Sequence, residues 1–167
     1  LTEDTINELI ENEEEVEEAE IETIQLLVFQ LGESWYGINI KDIKEIIKVD
    51  KITWVPGAVS YVVGVINHRG MIVPIIDIRE LLGLGKSDIK DESKIIIGEA
   101  KEVSTGIGIL VDEISDMVVV PVNEISAVPL TMDKRKSRYI TQEVRIEEKL
   151  VGIVDIHSVT TAQEIKR

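Results

Sequence analysis

The stretch that decides the fold is Gly64-Val65-Ile66-Asn67-His68-Arg69-Gly70-Met71-Ile72-Val73-Pro74-Ile75-Ile76-Asp77-Ile78-Arg79. Two β-branched apolar runs flank a short polar turn, the pattern of a β-hairpin. Asn67 and Gly70 flank the reversal, and both tolerate the positive φ that tight turns need. Arg69 sits on this Val/Ile scaffold, which gives the guanidinium a direction. Pro74 has no N–H for a ladder, so its strand is expected at a sheet edge or beside a bulge.

Outward from that hairpin the chain continues in the same idiom. Ile24–Leu31 reads as a strand, Gly32-Glu33-Ser34 as a turn and Trp35–Ile40 as the returning strand. Ile43, Ile46 and Ile47 fall at helical spacing within Lys41–Lys48, which predicts a short amphipathic helix. Residues 52–55 read as a further strand before Pro56-Gly57 reverses the chain. Residues 79–82 read as a short helix stopped by Gly83.

The second half repeats the first. Gly37-Ile38, Ile43, Glu45 and Ile46 recur at one offset as Gly108-Ile109, Ile114, Asp116 and Met117. Val55-Pro56 recurs as Val128-Pro129, and the Val73–Ile78 run as Val151–Ile156. Two related β modules follow, each too small to bury a good core alone and therefore packed together.

Of the 167 residues 44% are hydrophobic but only 4% aromatic, so the core is built from Val, Ile and Leu, which suit strands. The formal charge of −14 is uneven: residues 1–20 hold 10 acidic groups and no Lys or Arg. Removing them from 32 acidic and 18 basic residues leaves 22 against 18, a net of −4. Residues 1–20 are expected to be a disordered tail, with a partial helix opened by the Thr5-Ile6-Asn7-Glu8 capping box as the alternative. The connector run Lys134-Arg135-Lys136-Ser137-Arg138 reads first as a solvated loop and second as a dock for that tail. Residues 160–166 read as a last helical turn.

Chemistry finds few footholds. There is no cysteine, and the only histidines, His68 and His157, lie far apart, so no metal set or thiol nucleophile is expected. No serine sits in a nucleophile elbow and no glycine run forms a phosphate loop. Asp77 and Asp155, equivalent in the repeat, read as caps of the elements that follow them. No basic, aromatic-studded face points to nucleic acid. Neither a membrane-spanning run nor a signal peptide is read, so the expected location is cytoplasmic.

Residues 22–165 resemble the CheW family of chemotaxis coupling proteins. The resemblance is carried by Leu27–Gly32, by Tyr36–Ile40, by the Gly64–Arg79 stretch and by Gly106–Asp116. It implies a mostly β fold with short helices, in which two five-stranded SH3-like β-barrel subdomains, with strands exchanged between halves, pack around a shared hydrophobic core over residues 21–167. It further implies a non-enzymatic adaptor with no cofactor, recruited to membrane-associated receptor arrays without inserting into the membrane. Its partners would be the regulatory domain of the histidine kinase CheA and the cytoplasmic hairpin tip of methyl-accepting chemoreceptors. The partner-binding residues carried over are Ile43, Glu45, Gly64, Asn67, Arg69, Ile114 and Met117. The chain departs from the family pattern at His68, where Leu is common, and in its acidic tail. The alternative is the same domain serving as the regulatory part of a larger kinase or receiver fusion.

Overall fold

A computed structural model describes residues 5–7, 21–99 and 105–160. The expected tail, apart from exposed Thr5–Asn7, and the expected last helical turn beyond Thr160 lie outside the described residues. The protein is mostly β, with two sheets of six and five strands.

The first sheet contains β1 (Thr23–Leu31), β2 (Ser34–Asn39), β8 (Glu113–Pro121), β9 (Ser126–Ala127), β10 (Ile140–Ile146) and β11 (Lys149–Val154), in the order β8-β1-β2-β11-β10-β9. The second contains β3 (Ile43–Lys48), β4 (Val62–His68), β5 (Met71–Asp77), β6 (Lys94–Gly98) and β7 (Ile107–Val111), in the order β3-β6-β7-β5-β4. Among residues 21–99 and 105–160 lie three short helices: α1 (Ile78–Leu81), α2 (Lys134–Ser137) and α3 (Ile156–Thr160).

The sequence repeat does not coincide with the sheets. β1 and β2 open the first sheet, and the chain then crosses to build β3–β7 before returning for β8–β11. Each sheet holds one parallel pair. Gly37 on β2 lies opposite Ile153 on β11, and its repeat equivalent Gly108 on β7 lies opposite Ile75 on β5. A Cβ at Gly108 would run into the Ile75 side chain and come within 2.8 Å of Ile95 Cγ2, so this approach requires glycine.

Strand alternation then divides the apolar residues into three clusters. Leu26 and Val28 pack with Val120, Val144, Val151 and Ile153 against the first sheet's own inner face. Ile66, Val73, Ile75, Ile95, Ile97 and Leu110 do the same in the second. The residues between them in sequence, Leu27, Phe29, Ile76, Ile96 and Ile109, meet with Ile78 and Ile156 in one cluster shared by both sheets. Burial on both faces explains the consecutive apolar residues Leu26–Phe29 in β1, Ile95–Ile97 in β6 and Ile107–Val111 in β7.

Two expectations change. Residues 43–48 form a strand, with only a 3₁₀ turn at Ile40–Asp42 before it, because pairing with β6 outweighs the helical spacing of the isoleucines. Residues 52–55 contribute one bridge, Thr53 to Val65, with both backbone bonds at 2.8 Å. Of the two placements expected for the Pro74 strand, the structure shows the second: the strand is interior, its ladder to β7 begins at Ile75, and a register shift between Val62 and Gly64 lies beside it. The caps appear as read. Asp77 Oδ1 accepts from Arg79 N at 3.1 Å and Asp155 Oδ1 from His157 N at 3.0 Å. Asp77 also accepts from Ser87 N and Oγ, which pins the chain after α1.

Candidate functional site

The β4–β5 hairpin pairs His68 with Met71, so its two turn residues are Arg69 and Gly70. Their φ values are 52° and 79°, positive at both positions as in a type I′ turn. The left-handed residues are thus Arg69 and Gly70, while Asn67 stays in the strand and its Oδ1 accepts from Gly70 N at 3.0 Å. A non-glycine residue held left-handed is uncommon, and here it aims the arginine.

The aim is completed from the far edge of the same sheet. In β3 the alternation turns Ile43, Glu45 and Ile47 inward and leaves Ile46 exposed. Glu45 Oε2 accepts from His68 Nε2 at 2.9 Å, and its Oε1 accepts from Arg69 Nη2 at 3.2 Å. β3 and β4 are the two ends of the strand order, so the sheet coils until its edges touch. Glu45 and His68 are only 32% and 22% exposed, whereas Arg69 is 75% exposed. One carboxylate thereby holds a sheltered imidazole and an open guanidinium.

Gly64 is buried, and its function is space. A Cβ there would collide with the Thr53 carbonyl oxygen and come within 2.9 Å of Ile52 Cγ2. The Thr53 bridge therefore crosses directly over Gly64 and braces the hairpin's root. Ile43 and Ile114 are half-buried against the shared cluster. Met117 is exposed on β8, at the edge of the other sheet. The structure thus brings Glu45, Asn67 and Arg69 to one corner of the second sheet, puts Gly64 beneath it, and leaves Ile114 and Met117 on the first sheet.

Other residues of the corner escaped the sequence reading. His68 enters the charge cluster directly. Met71 and Ile72 lie exposed just beyond the turn, and Trp54 is 72% exposed in the bracing segment. An open cleft of about 200 Å³ gathers Lys44, Glu45, His68, Arg69 and Met71. The signal was available for Met71 and Ile72: large apolar residues directly after a two-residue turn stand at the hairpin's wet end. A second ion pair, Arg79 Nη1 to Asp112 Oδ2 at 2.8 Å, ties α1 to the β7–β8 link and is structural. Among the described residues no cluster of three metal-ligating groups occurs.

Comparison with known proteins decides the family, because residues 25–164 match the CheW-like domain. The chain belongs to the CheW family. It is 37% identical over 142 residues to the chemotaxis protein CheW of Bacillus subtilis, covering 84% of this chain and 90% of that one. The Treponema pallidum CheW is 30% identical over 148 residues, 87% of each. A crystal structure of the scaffolding protein TtCheW from Thermoanaerobacter tengcongensis superposes with a TM-score of 0.77 at 27% identity, covering 86% and 91% of the two chains. These CheW relatives are named as chemotaxis and scaffolding proteins rather than as enzymes. No helix among the described residues is long and apolar enough to cross a membrane.

Proposed function

We propose that this CheW-family chain is a chemotaxis adaptor that couples the cytoplasmic tips of chemoreceptors to the regulatory domain of the histidine kinase CheA. It controls kinase activity through contacts alone, in cytoplasmic arrays at the membrane. One observation supports this reading most: Glu45 fixes an arginine that is three-quarters exposed on a turn braced from two sides. A guanidinium held in advance loses little freedom on binding, which favours a recognition contact over a merely soluble turn tip. Met71 and Ile72 beside it provide the apolar part of such a contact. Glu45, Asn67 and Arg69 form the corner, Gly64 supports it, and Ile43, Ile114 and Met117 extend the surface across the two sheets. Interfaces of this class bury about 800 Å² per partner and depend on a few anchors. The test is titration of the purified chain against an isolated kinase regulatory domain, followed by kinase stimulation in reconstituted receptor membranes. Absence of both binding and stimulation would refute the assignment.

A further inference from the structure

Away from the Glu45 corner, the densest positive charge in the chain is Lys134-Arg135-Lys136-Ser137-Arg138, which forms α2 and the residue after it. It is no free loop. Arg135 Nη2 donates to the Glu80 carbonyl at 2.7 Å and its Nε to the Leu81 carbonyl at 3.2 Å, so this side chain caps the end of α1. Asp133 Oδ1 in turn accepts from Arg135 N at 2.7 Å. The result is a cleft of about 370 Å³ walled by Tyr61, Leu81, Lys134, Arg135, Arg138 and Tyr139. Lys134 and Arg138 are exposed and form no ion pair among the described residues. The acids on the packed elements, Glu80 and Asp133, leave the cleft positive overall. It shares no residue with the Glu45 corner.

The same chain carries the complement. Residues 1–20 hold 10 carboxylates and no cation, an imbalance that belongs to this segment and not to the globular part. The segment leads into β1, where the Glu22 carbonyl accepts from Val122 N at 2.9 Å. α2 leads into β10 of that same sheet. Twenty residues span at most about 70 Å, several times the roughly 15 Å radius of gyration expected for a domain of this size. Reach is therefore ample, and tethering supplies an effective concentration on the order of millimolar.

We infer that the acidic segment 1–20 docks on the Lys134–Arg138 cleft of its own chain. Arg135 holds the cleft in shape while Lys134 and Arg138 receive the carboxylates. The contact is electrostatic, so it weakens as the Debye length falls from about 30 Å in 0.01 M salt to about 3 Å in 1 M.

Because the chain has no cysteine, Asn12→Cys carries a single spin label in the full-length protein. In about 0.01 M salt, amide signals of residues 134–139 should lose more than half their intensity to the label. They should recover in about 1 M salt and in a Lys134→Glu/Arg138→Glu background whose amide spectrum remains folded. When spin-labelled chains without isotope are mixed with isotope-labelled chains without spin label, the loss should vanish. Intact signals at low salt would overturn the inference. So would a loss that survives high salt or charge reversal, or one that persists in the mixed sample and reveals docking between chains.

Discussion

Glu45 and His68 meet at 2.9 Å although they stand on β3 and β4, the two opposite ends of a five-stranded order. The contact records how far the sheet coils, and the spare oxygen of the same carboxylate holds Arg69. The imidazole is thus a second group held by the carboxylate that holds Arg69.

Replacing Glu45 by Gln should barely touch stability. Both contacts are partly exposed, and pairs of this kind contribute roughly 0–1 kcal/mol. Urea unfolding should show a change within that range, while affinity for the kinase regulatory domain or receptor stimulation drops several-fold. Unchanged coupling would mean the aim of Arg69 is unimportant.

Arg69 permits a cleaner separation of fold from function. Arg69→Gly removes the left-handed strain, so the melting temperature should hold or rise, with 1 kcal/mol corresponding to about 2–4 °C at this size. Arg69→Glu should also leave the fold intact. Both should lose kinase stimulation in receptor membranes, and stimulation that survives Arg69→Glu would exclude the assigned surface.

Gly64→Ala should act through the fold. The new methyl meets the Thr53 backbone, which cannot rotate away as a side-chain tip would. Overpacking of this kind costs about 1–3 kcal/mol, and denaturant midpoints should fall accordingly with an unchanged slope. Amide exchange at Val65, whose N–H donates to Thr53, should rise more than at Ile109 in the shared core.

Alkaline stability should depend on Tyr36. Burial pushes its hydroxyl above the usual tyrosine pKa, outweighing the lowering by a hydrogen bond with Ser34. The folded state therefore keeps its proton where the unfolded chain, near pH 10, begins to lose it. That contribution is complete below about pH 10 and is lost as pH rises towards the folded value. Unfolding free energy measured from about pH 9 to 11 should fall less steeply in Tyr36→Phe.

The primary structure by itself determined the hairpins, the caps at Asp77 and Asp155, the β-rich core and the repeat. Each rests on neighbours in the chain: alternation, turn residues and an Asp two positions before the amide it accepts. The 41–48 segment shows the limit of such reading. Ile43, Ile46 and Ile47 satisfy a helical period, while Ile43, Glu45 and Ile47 satisfy a strand period. Nothing local chooses between them. Pairing with β6, some fifty residues away, makes the choice and turns Glu45 inward. Tertiary structure alone decided that Gly64 clears a path for Thr53 and that Glu45 faces His68 and Arg69. Those contacts join groups that only the coiling of a sheet brings together, and no spacing in the chain encodes a distance closed in that way.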